Sequence, residues 1–128
     1  MNEVDIIFVP FFTRDIQGYH RVRYSAQSRA VENYLYTIIS GSSGNLLSPS
    51  DLCGYSRSSI LTPSDIGFPE SAVLAEADSG NQTMVTGDLD INLLHELRLN
   101  GTVKPLEDRR EDVYSLTLKI PIQIIKVD

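Results

Sequence analysis

Asp5-Ile6-Ile7-Phe8-Val9-Pro10-Phe11-Phe12, a periodic stretch ending in Arg29-Ala30-Val31-Glu32-Asn33, and Thr37-Ile38-Ile39-Ser40-Gly41-Ser42-Ser43-Gly44-Asn45 together decide the fold. The first run is almost continuously apolar and rich in Ile, Val and Phe, the pattern of a strand covered on both faces in a parallel or mixed sheet. Between Gly18 and Tyr36, the residues Tyr19, Val22, Ala26, Ala30 and Tyr34 recur at three- and four-residue steps. They form the apolar stripe of a helix whose other face carries Arg21, Gln27 and Ser28. A strand from Thr37 to Ser40 follows almost at once. Strand, helix and strand make a β-α-β unit with an expected right-handed crossover, so the fold class is α/β. A central strand this close to residue 1 must find its neighbours in later sequence or in another polypeptide, which favours a chain that is part of something larger.

Working outward, Gly41 to Asp51 is dense in Gly, Ser, Asn and Pro and reads as a surface loop. Ser58 to Thr62 predicts a short strand. Ala72 to Ala77 and Thr83 to Asp88 predict a hairpin around Asp78-Ser79-Gly80-Asn81. Asp90 is placed to cap a short helix with Ile91, Leu94 and Leu97 on one side and Asn100-Gly101 as its stop. The segment from Val113 to Val127 carries Pro121 in its middle and reads as an extended tail or an edge strand, because proline removes a ladder donor.

The composition narrows the class of function. Hydrophobic residues make up 41% of the 128, enough for a packed core and too many for a disordered chain. A formal charge of −6 repels phosphate backbones and anionic bilayers, so neither nucleic acid nor a membrane is an expected partner. Arg109-Arg110 is the one concentrated basic pair, and the flanking Glu107, Asp108, Glu111 and Asp112 cancel its field. The lone cysteine, Cys53, cannot close an internal disulfide. With no basic, apolar leader after Met1, this points to the cytoplasm. His20 and His95 stand apart from each other and from any other ligand type, so no metal site and no cofactor is expected.

Several of these segments carry a family resemblance. The run Asp5 to Phe12, Arg29-Ala30-Val31-Glu32-Asn33, Ser58-Ser59-Ile60-Leu61-Thr62-Pro63 and Gly101 to Arg110 resemble the carbon–nitrogen hydrolases of the nitrilase superfamily, downstream of their catalytic cysteine. The likeness runs to about Tyr114. It implies residues 1–114 as the C-terminal portion of a hydrolase domain and 115–128 as an extended C-terminal tail. The implied architecture is half of an α-β-β-α sandwich, a mixed sheet covered by helices.

In the complete enzyme the resemblance implies amidase-like hydrolysis of non-peptide C–N bonds. A thiolate attacks, a Glu moves the proton and a Lys stabilises the oxyanion. None of those three motifs stands in this sequence, so no catalytic residue is assigned. Cys53 lacks the strand-to-helix elbow of the family's nucleophile and reads as a loop thiol. Phe68-Pro69-Glu70 has no cysteine before it at the needed distance.

The resemblance places Phe12 and Thr13 in a substrate pocket, at the carboxyl end of a strand where open α/β sheets put ligands. The plainer reading of Phe11 and Phe12 is core or strand-end aromatics. Arg29, Glu32 and Asn33 receive a scaffold or subunit-contact role, against the plainer reading of a helix-surface salt bridge of little energetic weight. Gly41-Ser42-Ser43-Gly44-Asn45 is either a turn or the rim of the active site. Its glycines are too close for a nucleophilic-serine elbow, and no Lys-Ser or Lys-Thr follows as a P-loop requires.

Two functions follow as expectations. One is a C-terminal fragment of a hydrolase, inactive until an N-terminal half supplies the chemistry. The other is a self-associating structural or binding module derived from half of that fold. Both expect the uncovered sheet to be covered, by a homo-oligomer or by the complementary N-terminal half.

Overall fold

The computed structural model describes residues 4–45, 53–78, 82–105, 108–110 and 112–113. The tail expected from 115, the centre of the loop at 46–52 and the hairpin turn at 79–81 lie outside the described residues. The elements in chain order are β1 (Ile6–Phe12), α1 (Ile16–Asn33), β2 (Tyr36–Ser42), β3 (Gly44–Asn45), β4 (Cys53–Gly54), β5 (Ser59–Leu61), β6 (Val73–Glu76) and α2 (Ile91–Asn100). The architecture is α/β, with a mixed four-stranded sheet in the order β1-β2-β5-β6 and a separate two-stranded ladder, β3-β4.

Strands β1 and β2 run parallel, from Ile6 opposite Tyr36 to Phe12 opposite Ser42, with α1 between them in sequence. Strand β5 pairs antiparallel with β2, and β6 antiparallel with β5. The side chains of Val9, Phe11, Ile39, Leu61 and Val73 meet Tyr19, Ala26 and Ala30 of α1, which builds the core on one face of the sheet. The three-and-four spacing of the helix stripe is what brings those residues to one side.

Helix α1 begins at Asp15, whose carboxylate accepts from the Gly18 amide at 2.6 Å. It ends at Tyr34, which takes the left-handed conformation at φ 46° and returns its amide to the Ala30 carbonyl. That geometry usually belongs to glycine. Here the side chain holds it: the Tyr34 hydroxyl donates to Asp65 at 2.6 Å and lies 2.9 Å from the Val103 carbonyl. Helix α2 starts as its sequence implies, with Asp90 accepting from the Leu93 amide at 2.8 Å, and Leu94 fully buried.

Two expectations are corrected. First, β1 is an edge strand, paired on one side among the described residues, and only one of its faces is covered. Phe8 is 69% exposed and Phe12 41%, because α1 packs on Val9 and Phe11 and leaves the alternate residues without a layer above them. Second, Ala72–Ala77 and Thr83–Asp88 do not form a hairpin. Val73–Glu76 pairs with β5 instead, and 82–90 crosses as irregular chain. The Gly87 backbone approaches Ile60 and Leu74 so closely that a Cβ there would stand 2.9 Å from Leu74 Cδ2.

The end of the sheet near Asp5 is fastened by Arg98 of α2. Its guanidinium donates to Asp5 at 2.7 Å, to the Tyr34 carbonyl at 2.8 Å and to the Val4 carbonyl at 2.8 Å, and His95 contacts the same Asp5 oxygen at 2.9 Å. Burial would raise the Asp5 carboxyl's pKa, but the His95 and Arg98 contacts outweigh it and hold it low. None of the described helices is long and apolar enough to cross a membrane.

Candidate functional site at the strand ends

The carboxyl ends of the two parallel strands are where ligand-binding groups are expected, and this is where Phe12 and Thr13 lie. The Thr13 hydroxyl donates to the Tyr55 carbonyl at 2.6 Å, while the Tyr55 amide returns a bond to the Thr13 carbonyl at 2.8 Å. This reciprocal pair joins the end of β1 to the chain leaving β4. Gly54 fits there because nothing larger would: a Cβ would stand 2.7 Å from the Ser42 carbonyl and 3.0 Å from the Phe12 ring. The structure thus brings together Phe12, Thr13, Ser42, Gly54 and Tyr55.

Beside them, at the end of β2, opens a polar cleft of about 230 Å³ whose lining includes Gly41, Ser43, Ser56, Ser58 and Asp78. Gly41 is fixed by crowding, since a Cβ would lie 2.4 Å from that of Ser56 and 2.5 Å from the Phe11 ring. Its amide donates to the Ser58 hydroxyl at 3.2 Å. The segment Gly41–Asn45 is therefore split between β2 and the small ladder β3-β4, in register with Cys53 and Gly54. Hydroxyls and one carboxylate can orient a polar ligand, but among the described residues no imidazole or amine lines the cleft to activate a serine.

Cys53 is a free thiol on an exposed position of β4. Arg29, Glu32 and Asn33 sit at the other end of α1, away from the cleft. Arg29 and Glu32 form an exposed pair at 3.1 Å, and the Asn33 side chain donates to the Arg29 carbonyl at 3.1 Å while accepting from Arg109 at 2.7 Å. Among the described residues, no group of three or more His, Cys, Asp or Glu side chains is gathered as a metal would need. The serine cleft itself was not legible in the sequence, because Ser43, Ser56, Ser58 and Asp78 come from separate elements that no local spacing links.

With this geometry in view, one likeness bears directly on function. The chain is 46% identical over 115 residues to "Probable hydrolase YhcX" of Bacillus subtilis (strain 168). The match takes in 89% of this chain but 22% of the relative, so the chain spans about a fifth of that protein's length. No family model matches the chain, and no solved structure matches it.

Proposed function

We propose that this chain is the C-terminal portion of a carbon–nitrogen hydrolase of the nitrilase superfamily, amidase-like in the complete enzyme and inactive alone. The observation that carries the reading is the exposed outer edge of the sheet at β1, where Phe8 is 69% exposed. Register places Phe8, Ile38 and Ile60 in one row across β1, β2 and β5, on the face opposite α1. Ile60 is buried beside the crossing chain at Gly87, while Phe8 at the outer end of the row is exposed; between Ile38, Ile60 and residues 83–87 lies a groove of about 420 Å³. Beside β1, a second groove of about 400 Å³ is lined by Ile7, Val9, Val22 and Ala26. An unpaired edge strand with an exposed Phe8 on one face and an apolar groove on the other suits a fold whose next strand and second sheet come from elsewhere. The hydrolase name of a relative more than four times as long as the matched stretch fits the same picture.

In this reading the remainder of the protein supplies the thiolate, the carboxylate base and the lysine, while Phe12 and Thr13 line the substrate pocket. Arg29, Glu32 and Asn33 serve as scaffold or subunit contact. The test is a segment exchange. This chain replaces the matching stretch of the Bacillus subtilis relative, and both the chimera and the isolated chain are assayed on a panel of amides and nitriles. The chimera retains the turnover of the intact relative, and the isolated chain shows none. Hydrolysis by the isolated chain would overturn the proposal. The same exposed edge at Phe8 also favours a second reading, a self-associating module, which predicts a stable oligomer of this chain with no catalytic counterpart.

A further inference from the structure

On the α1 side of the sheet, a cleft of about 270 Å³ gathers Tyr19, His20, Arg23, Tyr55, Arg57 and Glu76. Two guanidiniums face one carboxylate across it, so the cleft holds surplus positive charge in a protein whose net charge is −6. The ion pairs are open: Arg23 Nε lies 3.4 Å from Glu76 Oε2, and Arg57 Nη1 lies 3.6 Å from Glu76 Oε1. Closed charge-assisted pairs run at roughly 2.7–2.9 Å. Elsewhere in this chain they reach that length, with Arg98 at 2.7 Å from Asp5 and Arg110 at 2.7 Å from Asp112. Glu76 instead takes its short bond from the Ser59 hydroxyl, at 3.0 Å. Arg57 Nε is shut off from solvent and has no hydrogen-bond partner. The Arg57 side chain as a whole is 39% exposed and also interacts with Tyr55, so its outer nitrogens are open to the cleft.

The walls are aromatic. Tyr19 meets Tyr55 edge-on with ring centres 5.7 Å apart, and His20 stacks on Tyr24 at 5.3 Å with planes 22° apart. A planar guanidinium matches a carboxylate with two parallel N–H bonds, and flat rings beside it suit a flat ligand body. We propose that this cleft binds a small planar monocarboxylate, its head between Arg23 and Arg57 and its ring against Tyr19 and Tyr24. A single surplus charge beside Glu76 favours a monoanion over a doubly charged phosphate. The site is separate from the serine cleft and does not rest on the hydrolase reading, so each can fail without the other.

The probe is benzoate, titrated into the isotopically labelled chain and followed by amide chemical shifts. Changes at Tyr19, His20, Tyr55 and Arg57 are expected, with benzyl alcohol and inorganic phosphate producing much weaker ones. Arg57→Gln weakens benzoate by roughly tenfold, the size expected when one charge-assisted bond is lost, at an unchanged melting temperature. Should that variant fold poorly, Tyr24→Ser serves in its place, since Tyr24 is 64% exposed, and it weakens benzoate several-fold. Absence of shifts at millimolar benzoate, equal binding of benzyl alcohol or phosphate, or undiminished binding by the folded variant would each overturn the assignment.

Discussion

Asp65 carries more of the fold than its place in a loop implies. It accepts from the Tyr34 hydroxyl at 2.6 Å, from the Thr102 amide at 2.9 Å and hydroxyl at 2.7 Å, and from the Ile66 amide at 2.7 Å. Burial would raise its pKa. The hydrogen bonds from Tyr34, Thr102 and Ile66 outweigh that and lower it from 3.8 to about 2. Tyr34 is pushed up to about 12, by burial first and by the Asp65 carboxylate next. Because folding lowers the Asp65 pKa, its contribution is complete above pH 3.8 and is lost as the pH falls through about 2. Asp65→Asn is expected to cost about 1–3 kcal/mol near neutral pH. It should also remove part of the acid loss in that window, as read by urea unfolding of both proteins from pH 5 down to 2. An unchanged acid profile would show that another carboxylate governs it. Gly41 gives a steric counterpart. Gly41→Ala drives a methyl group into Ser56 and the Phe11 ring. A loss of about 1–3 kcal/mol in the same measurement is expected from overpacking.

At the scale of elements, what was legible in the sequence was what local chemistry dictates. Helix α1 and its apolar stripe follow from spacing, and the start of α2 follows from Asp90, because periods and caps act within a few residues. Continuous apolarity in β1 showed what Phe8 would bury if it could, and could not show whether this chain supplies the cover. The partner of β6 was missed for a related reason. A hairpin is the default for two strand-like runs near each other, yet β5 reached Val73–Glu76 first through the compact turn at 64–71, closed by Phe68 on Asp65 and Ala72 on Pro69. At the candidate site, the position of Phe12 and Thr13 at the carboxyl end of β1 was legible because a strand's end is a position in sequence, while their part in a substrate pocket is a proposal. The serine cleft and the Arg23, Arg57 and Glu76 cluster were not, since each is assembled by packing. The exposed Phe8 on the edge strand leads to a prediction of its own. The isolated chain sediments as a dimer or larger at micromolar concentration. Phe8→Ser shifts it to monomer with a melting temperature changed by only a few degrees, because Phe8 is already 69% exposed. A well-folded monomer of the unaltered chain would contradict this.

For the whole molecule, polar fastening concentrates at one end of the sheet and open chemistry at the other. Arg98, Asp5, Asp65 and Tyr34 knit the chain together near the start of β1 and the end of α1. Near the other end Gly41 lines a polar cleft, and Phe8 on the edge strand stands exposed. That division suits a scaffold that positions part of a pocket while another segment brings the nucleophile. If this chain works inside a larger hydrolase, as proposed, the native protein must be far heavier than the chain itself. An antibody raised against residues 53–78 would be used on an extract of the cells that make it. A single species far heavier than the 14.3 kDa of this chain is expected, co-purifying with amide-hydrolysing activity. A species at 14.3 kDa, with no heavier form, would contradict it.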